Sequence, residues 1–327
     1  MERGVSVIIP TNNRDDLLIR AVESICSQSA DRPVEIIVAD NSGRSRLDAW
    51  LAMGGISASF PVRLLQAVDI VGPSHPRNVG ASQARYEYLG FLDDDAAAAP
   101  DWLQQLTSFF DAHAEVAILA GRVEASRKDH PLEHSRQFLY DSRHARYATT
   151  ECTASIAARF GCQMPSEYFL ADYFTGSNAA CRAAIFARLS GFDTRIRHGQ
   201  DHDLAIRCWQ LGFPVAYVPS LRVFHEHGRS YRRFLAQTYQ HGISATERVI
   251  ELEREREFWA EFAREFGQLA SAASAWVRAV RINPGNHMRS TRTIMLTAAF
   301  IHLAGTLAWG ARHLIRFSGT FGRGDKS

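Results

Sequence analysis

The sequence predicts an α/β fold in which helices flank a doubly wound, mostly parallel sheet. Short apolar runs alternate with amphipathic segments from residue 5 to residue 92, which is typical of strands and helices in such folds. Polar clusters follow three of the apolar runs directly, and they are Thr11–Asn13, Asp40–Asn41 and Asp93–Asp95. Because parallel strands end at one edge of the sheet and ligands bind there, we expect the functional site at that edge.

Each element of this first half has a local signal. We expect strands over residues 5–10, 34–39, 62–66 and 89–92, which are apolar and end at polar or turn-forming residues. Pro10 closes the first strand, because proline cannot continue a hydrogen-bond ladder. Helices are expected over 46–53 and 76–85, and from Asp15 or Asp16 onward, where either carboxylate is a suitable N-cap.

The second half is less regular. Residues 126–174 are rich in aromatic residues, histidine and arginine without a clear period, and we expect a long irregular segment that forms a mobile lid or a substrate cleft. Order returns from Tyr173, and a later strand carries His225 and His227 on one face. Residues 244–282 have apolar side chains at helical spacing among charges, which predicts a long amphipathic helix or helix pair with a solvated face.

The composition is that of a globular protein. The 327 residues are 46% hydrophobic and 22% charged, with a formal net charge of +2, so the charge gives no reason to expect a nucleic-acid partner. The N-terminal residues enter a strand without an apolar leader, so we expect no signal peptide. Five cysteines are dispersed along the chain, a number and spacing that favour reduced thiols in the cytoplasm over disulfides or a zinc site.

The C-terminal part contains an uncharged stretch at residues 293–311, with arginines on both sides. Its length is close to the roughly 20 residues that cross a bilayer. A membrane-inserted or in-plane helix is the favoured interpretation, while a buried helix packed on the domain and an oligomer contact are the alternatives. We therefore expect the protein at the cytoplasmic face of the membrane.

The three consecutive aspartates at residues 93–95 are electrostatically unusual. Two unit charges about 4 Å apart repel by roughly 1 kcal/mol in water and by more at a lower dielectric. A cation between the carboxylates relieves this repulsion, and oxygen ligands suit Mg²⁺ or Mn²⁺, which keep coordination positions open for phosphates. The triplet therefore predicts a metal-diphosphate site, with capping of the next helix as the alternative.

Other polar residues of the expected edge have two interpretations each. Arg77 stands where a helix would begin, and both a guanidinium and a helix N-terminus favour anions. Asp40 is a candidate to contact a nucleobase or a ribose hydroxyl, or it forms only its own turn. Asp201 and Asp203 precede an apolar helix, so that one is a candidate general base and the other a cap. His225 is a candidate metal ligand or a structural histidine.

Taken in order, five segments resemble one family. They are "VSVIIPTNNRDDLLIRAVESI", "EIIVADNSG", "HPRNVGASQARYEYLGFLDDDAAAAPDWL", "TGSNAACRAAIFARLSGFD" and "GQDHDLAIR". Together they are similar to the family 2 inverting glycosyltransferases, which have the GT-A fold, a Rossmann-like doubly wound sheet. The resemblance covers residues 4 to about 242.

The resemblance implies a nucleotide-diphosphate sugar donor, of which a UDP-sugar is expected first, an Mn²⁺ or Mg²⁺ cofactor, and single displacement with inversion at the anomeric carbon. The donor-binding positions that it implies are Pro10, Thr11, Asn13, Arg14, Asp40, Arg77, Asp93 and Asp94. The implied metal positions are Asp93, Asp95 and His225, with Asp95 the favoured direct ligand and Asp94 an alternative to Asp93 for the ribose contact. The implied base is Asp201, and the implied acceptor-side positions are Gly176, Ser177, Asn178 and Gln200.

The chain departs from the family pattern twice. Gln200 stands where a glutamate normally precedes the base, so a neutral amide replaces a second carboxylate. The sequence "ADNSG" has one aspartate where a pair is commoner, which leaves uridine or another base open.

The expected function is metal-dependent, inverting transfer of a sugar to a glycan or lipid-linked acceptor hydroxyl, in surface polysaccharide or glycolipid synthesis. The alternatives are an inactive membrane-tethered scaffold, which Gln200 keeps open, and a sugar-phosphate nucleotidyltransferase, which "IIPTNNRDD" disfavours because it lacks glycine. We expect a GT-A domain over 1–243, with a donor-binding half to about residue 125 and an acceptor half from about 126. A helical C-terminal extension over 244–327 is expected to follow it.

Overall fold

The computed structural model describes residues 1–53, 59–70, 72–126, 131–196 and 199–226, with a few isolated residues between 232 and 239. The chain forms two compact units, residues 1–127 with 137–227, and residues 128–136 with 228–327. The helices expected over 244–282 and 293–311 lie outside the described residues. Within the described residues, no helix combines the length and the apolar composition that a membrane span requires.

Strands and helices alternate as expected in the first half. In chain order the described elements are β1 (Glu2–Thr11), α1 (Asp15–Cys26), β2 (Val34–Asp40), α2 (Leu47–Ala52), β3 (Val62–Gln66), α3 (Ser74–Ser82), β4 (Tyr86–Leu92), β5 (Ala96–Ala98), α4 (Trp102–Ala112), β6 (Ile118–Ala125), α5 (Pro131–Tyr147), α6 (Thr150–Phe160), β7 (Phe169–Leu170), β8 (Asn178–Arg182), α7 (Ala183–Arg188), α8 (Gln200–Gln210) and β9 (Val215–His225).

The strands form one mixed sheet in the order β3-β2-β1-β4-β8-β6-β9-β5, with β7 also paired to β9. Strands β3, β2, β1 and β4 are parallel neighbours, as are β6 and β9. Strand β8 runs antiparallel between β4 and β6, and β5 and β7 run antiparallel to β9. The predicted α/β class is confirmed, and the antiparallel strands belong to the second half, where sequence patterns were weaker.

Strands β1, from Gly4 onward, and β2 are buried on both faces, which is why their sequences are continuous apolar runs rather than alternating ones. Val7 and Ile9 of β1 pack on one face with Leu18 and Val22 of α1. Ile8 points to the opposite face and joins the second core cluster. Successive strand residues face opposite sides of the sheet, so the two clusters are the layers above and below it.

Two expectations about elements were wrong. The segment expected to be irregular contains two helices, because α5 and α6 occupy most of residues 131–160. Thr149 caps α6 by accepting a hydrogen bond from the Cys152 amide, and Gly161 ends it in a left-handed conformation with φ of 67°. Neither Asp15 nor Asp16 is the N-cap of α1; that residue is Arg14, and the aspartates lie in the first turn.

Candidate functional site

The pairing of β5 with β9 brings the acidic turn and a histidine together. After β4 ends at Leu92, Asp93–Asp95 form a turn into β5, so these carboxylates do not cap a helix. Strand β5 pairs with the end of β9 so that Ala96 lies opposite His225, and the Asp95 carbonyl accepts a 2.7 Å hydrogen bond from the Glu226 amide. The far end of the chain's last described strand therefore fixes the geometry of the turn.

Three of the predicted side chains could hold a metal ion together. Asp93, Asp95 and His225 each offer one ligand atom, and these atoms all lie within 4.8 Å of one another. The Nε2 atom of His225 is 3.1 Å from Asp95 Oδ1 and 3.8 Å from Asp93 Oδ2. Two carboxylates and one imidazole form a donor set that suits Mn²⁺ and accommodates Mg²⁺, so the residues present fit the expected ion.

Arg77 holds Asp93 from the other side. Its Nη2 donates a 2.5 Å hydrogen bond to Asp93 Oδ1, and its Nη1 donates to the Pro73 carbonyl at 3.1 Å. Only 5% of the Arg77 side chain is exposed. Burial opposes ionisation of Asp93, but the charges of Arg77 and His225 outweigh it and hold the pKa of that carboxyl well below its usual range. Asp93 is therefore an anion in the folded protein.

Asp94 is turned inward. Its carboxyl is fully buried, accepts a 2.8 Å hydrogen bond from Thr11 Oγ1 and pairs with Arg14. Burial raises the pKa of Asp94 to about 6 in spite of the opposing charge of Arg14. By contrast, the side chain of Asp93 keeps 25% exposure.

In the turn after β2, both carboxylate oxygens of Asp40 accept hydrogen bonds. Its Oδ1 accepts hydrogen bonds from the Ser42 amide at 2.8 Å and the Ser42 hydroxyl at 2.6 Å, and its Oδ2 accepts one from the Ser45 amide at 2.9 Å. Burial disfavours the charged form of Asp40, but these hydrogen bonds outweigh burial and lower the pKa of the carboxyl. Asp40 is fully buried and holds the turn, and its predicted contact with a nucleobase or ribose hydroxyl stays a prediction.

Of the predicted nucleotide-binding residues Pro10, Thr11 and Asn13, one is exposed. Pro10 and Thr11 are buried, while Asn13 is exposed and has a left-handed backbone with φ of 56°. Thr11 lies opposite Asp40 in the β1–β2 pair. The two strand ends are therefore adjacent, as the sequence predicts, and Asn13 is the side chain of this set that is open to a ligand.

The predicted base lies at the start of α8. Asp201 is in the first turn of that helix, after Gly199 at the N-cap. Asp201 Oδ2 accepts a 3.3 Å hydrogen bond from the Tyr173 hydroxyl, and Oδ1 accepts one from the His202 amide at 3.0 Å. Arg143 of α5 lies 4.6 Å from the centre of the Tyr173 ring. These contacts orient the carboxylate and surround it with donors.

Two residues near Asp201 in the sequence, Asp203 and Gln200, differ in their contacts. Asp203 pairs with Arg207, which also donates to the Leu189 and Gly191 carbonyls, so Asp203 anchors a turn. Gln200 is 8% exposed, and its Oε1 has no hydrogen-bond partner among the described residues. An unpaired buried amide oxygen next to the base is consistent with the predicted acceptor-side contact.

Gly176, a residue of the predicted acceptor-side segment, lies against Arg77, a predicted donor-binding residue. A Cβ atom at Gly176 would come within 2.8 Å of Arg77 Cζ and 2.9 Å of its Nη2. Glycine is therefore required here for the close approach of Arg77. Ser177 is buried, and its hydroxyl lies 2.9 Å from that of Thr175.

Asn178, another residue of the predicted acceptor-side segment, has its side chain in the core. Its Nδ2 donates to the Arg122 and Leu221 carbonyls at 2.8 and 2.7 Å, and its Oδ1 accepts a 2.8 Å bond from Trp102 Nε1. The side chain is fully buried, so it joins strands inside the core.

The structure adds Tyr173 and Arg143, which the sequence did not single out. The richness of residues 126–174 in aromatic residues and arginine was the available signal, but only the helical placement of Arg143 over Tyr173 connects them to Asp201. His227 lies outside the described residues.

Comparison with known proteins decides the family. Residues 6–188 match the family described as Glycosyl transferase family 2. The chain belongs to glycosyltransferase family 2. The resemblance read from the sequence is thereby confirmed. Among curated relatives, a pre-mycofactocin glycosyltransferase of Mycobacterium tuberculosis is 26% identical over 244 residues, covering 74% of this chain and 47% of the relative. The chain thus spans about half the length of that family 2 relative.

Two solved structures share the fold. A mannosyltransferase from Pyrobaculum calidifontis, solved with GDP-Man and Mn²⁺, aligns with a TM-score of 0.59 at 17% identity, covering 93% of this chain and 86% of the other. GalNAc-T7, solved with UDP, GalNAc and Mn²⁺, aligns with a TM-score of 0.52 at 16% identity, covering 68% and 43%. Both are glycosyltransferases of the GT-A type, so this family 2 chain has the GT-A fold.

Proposed function

We propose that this chain is an inverting glycosyltransferase that uses a divalent ion to move a sugar from a nucleoside-diphosphate sugar to an acceptor hydroxyl. The observation that carries the proposal is the convergence of Asp93, Asp95 and His225, whose ligand atoms lie within 4.8 Å, at the strand-end edge of a family 2 domain. Tyr173 and Asp201 supply the second requirement, an oriented carboxylate.

The acidic turn is the site for the donor's diphosphate. Asp93, Asp95 and His225 would hold the ion, and a bound Mn²⁺ or Mg²⁺ supplies Lewis-acid neutralisation of the departing diphosphate. Arg77 is pinned beside Asp93 and adds a fixed positive charge to the same edge. Asn13, exposed next to the β1–β2 strand ends, contacts the nucleoside.

Asp201 is the general base of the transfer. It accepts the proton of the acceptor hydroxyl, whose oxygen forms a bond to the anomeric carbon. The bond from that carbon to the diphosphate oxygen breaks on the opposite face, and its electron pair leaves with the nucleoside diphosphate. Since there is one displacement, the configuration at the anomeric carbon inverts. The Tyr173 hydroxyl holds Asp201 in the required orientation through its hydrogen bond.

We further propose a UDP-sugar as donor, with a GDP-sugar as the alternative, because solved relatives of the fold contain UDP or GDP-Man. The acceptor is a glycan or a lipid-linked sugar of a surface polysaccharide or glycolipid, handled at the cytoplasmic face of the membrane. The support for this location is the uncharged stretch at 293–311, which has basic flanks.

A donor screen tests the proposed activity. The purified full chain is incubated with a panel of UDP- and GDP-sugars in Mn²⁺, Mg²⁺ or EDTA, and release of nucleoside diphosphate is measured. We expect metal-dependent release from one donor class. Asp201→Asn should retain nucleotide binding and lose at least about 100-fold in rate, the lower range for loss of a general base. Nucleotide binding without turnover by the unmodified chain would instead favour the inactive scaffold.

A deletion tests the proposed membrane location. Removal of residues 290–327 should move the protein from the membrane to the soluble fraction of lysed cells, because it removes the apolar stretch and its basic flanks. If the full chain is already in the soluble fraction, the stretch packs against protein and the membrane proposal is wrong.

A further inference from the structure

The side chain of Arg14 contacts the acidic turn, residues 93–95, and a role in donor binding alone does not explain these contacts. Its Nη1 lies 2.6 Å from Asp95 Oδ2, its Nε donates to Asp94 Oδ2 at 3.1 Å, and its Nη2 pairs with the other Asp94 oxygen. One guanidinium therefore bridges two adjacent carboxyl groups, and one of these belongs to a candidate metal ligand.

The two arginines of the site are held very differently. Arg77 is 5% exposed, donates to a backbone carbonyl as well as to Asp93, and lies 5.7 Å from the centre of the Phe192 ring. Arg14 is 46% exposed, and within the described residues its side chain makes polar contacts with the acidic turn alone. Arg77 is thus fixed by contacts outside the turn, whereas Arg14 can leave it by rotation of its own side chain.

Electrostatics makes the position of Arg14 incompatible with tight metal binding. A guanidinium on Asp95 neutralises part of the charge that a divalent cation needs, and the two cations repel at short range. The same half-exposed guanidinium suits a diphosphate, to which arginine can donate two parallel hydrogen bonds. Either the Arg14 guanidinium or the divalent ion can therefore neutralise the Asp95 carboxylate, and each weakens the binding of the other.

We propose that Arg14 is an exchangeable counterion of the acidic turn, which neutralises Asp94 and Asp95 in the ligand-free protein, releases Asp95 to the divalent ion, and then contacts the diphosphate of the donor. The second contact rests on the proposed function. The first does not, because it concerns only the metal and the turn. Arg14 is thereby a residue that couples metal binding to donor binding, since its charge opposes the first ligand and favours the second.

Metal binding without nucleotide tests the exchange. Titration of the purified full chain with Mn²⁺, followed by the loss of the free-ion electron paramagnetic resonance signal, gives the dissociation constant directly. Arg14→Gln should bind Mn²⁺ about fivefold more tightly than the parent, because a nearby repelling charge is removed. Arg14→Met, also uncharged, should show the same increase in Mn²⁺ affinity. Agreement between the two variants assigns the effect to the lost charge rather than to the new side chain.

Arg20→Gln is the matched control. Arg20 lies on α1, the helix whose N-cap is Arg14. It is 50% exposed and pairs with Glu226, the residue after His225. It therefore removes an equal charge close to the site without touching Asp94 or Asp95. Its Mn²⁺ affinity should stay within about twofold of the parent, since exposed charges are largely screened.

The expected effect on nucleotide binding is opposite to the effect on Mn²⁺ binding. In saturating Mn²⁺, calorimetry with UDP and GDP should show about tenfold weaker binding by Arg14→Gln of whichever nucleotide the parent binds, through loss of charge-assisted hydrogen bonds. Tighter Mn²⁺ with weaker diphosphate supports the exchange. Unchanged or weaker Mn²⁺ binding by both uncharged variants, with intact thermal unfolding, overturns it. That outcome leaves the metal-dependent function standing, whereas a parent that binds no Mn²⁺ overturns both proposals. The two failures are therefore distinguishable.

Discussion

At the scale of single residues, the contact between Gly176 and Arg77 connects the two halves of the site. A Cβ at position 176 would lie 2.8 Å from Arg77 Cζ, closer than real Cβ contacts. Gly176→Ala should therefore displace the guanidinium from Asp93 and weaken UDP or GDP binding in saturating Mn²⁺ by about tenfold, the effect of losing one charge-assisted contact. Isothermal calorimetry measures this loss, and circular dichroism shows whether the fold is retained.

A double-mutant cycle separates this mechanism from general disruption. In an Arg77→Ala background, the methyl group of Gly176→Ala meets no guanidinium, so the second substitution should change nucleotide affinity by less than about twofold. If Gly176→Ala costs as much in that background as in the parent, the effect does not pass through Arg77.

Asn178 illustrates a residue whose burial the sequence does not reveal. Asn178→Ala would leave the Arg122 and Leu221 carbonyls and the Trp102 indole without their partner in the core. We expect the free energy of unfolding to fall by about 3 kcal/mol, since orphaned buried groups cost 1–3 kcal/mol each and partial relaxation is usual. Urea unfolding provides the measurement.

The neighbouring Ser177→Ala is the comparison for Asn178→Ala. It removes one hydroxyl contact, to Thr175, and should cost about 1 kcal/mol or less. Equal stability of the two variants, with a raised acceptor KM for Asn178→Ala, would return Asn178 to the acceptor side.

At the scale of elements, Asp111 attaches α4 to the sheet. Its carboxylate accepts hydrogen bonds from Arg32 at 2.7 Å and from the Tyr88 hydroxyl of β4 at 2.9 Å. The hydrogen bond from Arg32 is the main reason that the pKa of Asp111 falls to about 2. A carboxyl whose pKa is lower in the folded state stabilises the fold above pH 4, and that stabilisation disappears as the pH falls towards 2.

Asp111→Asn should therefore reduce the free energy of unfolding by about 1 kcal/mol at pH 7, a value discounted because the side chain is 34% exposed. The difference from the parent should shrink towards zero between pH 4 and pH 2.5 in thermal unfolding followed by circular dichroism. Asp31→Asn, which removes a 73% exposed partner of the same arginine, should have a smaller effect. A constant difference for Asp111→Asn at all pH values would contradict the assignment.

How much of the fold the sequence predicts depends on how local its causes are. Strand β3 was predicted with its observed bounds, and β1 and β2 within a few residues, because continuous apolar runs bounded by polar residues are local signals. Helix α5 was missed because it contains many polar and aromatic residues and lacks a strong apolar period.

The site divides in the same way. The acidic turn was predicted because three adjacent carboxylates are visible in the sequence itself. Its closeness to His225 follows from the pairing of β5 with β9, which joins positions far apart in the sequence. The sequence made His225 a candidate ligand, but no local pattern encodes that pairing. Asp40 and Asn178 are fully buried, and no spacing in the sequence encodes that burial.

At the scale of the whole molecule, metal binding should be visible as stability. An ion that binds only the folded state stabilises it by RT ln(1 + [L]/Kd), about 2.7 kcal/mol at 100 times the dissociation constant. For a domain of this size, roughly 2–4 °C of thermal midpoint accompany each kcal/mol. Saturating Mn²⁺ should therefore raise the midpoint by about 5–10 °C relative to EDTA, as scanning fluorimetry measures.

The same shift identifies the ligands. Asp95→Ala removes one of the three ligand atoms that lie within 4.8 Å, so its midpoint should respond to Mn²⁺ by less than about 2 °C, because two remaining ligands bind the ion weakly. Asp16→Ala removes an exposed carboxylate in the first turn of α1 and should keep the full shift. An undiminished shift in Asp95→Ala would mean that Mn²⁺ stabilises the protein elsewhere, since loss of a ligand and retention of the full binding energy are incompatible.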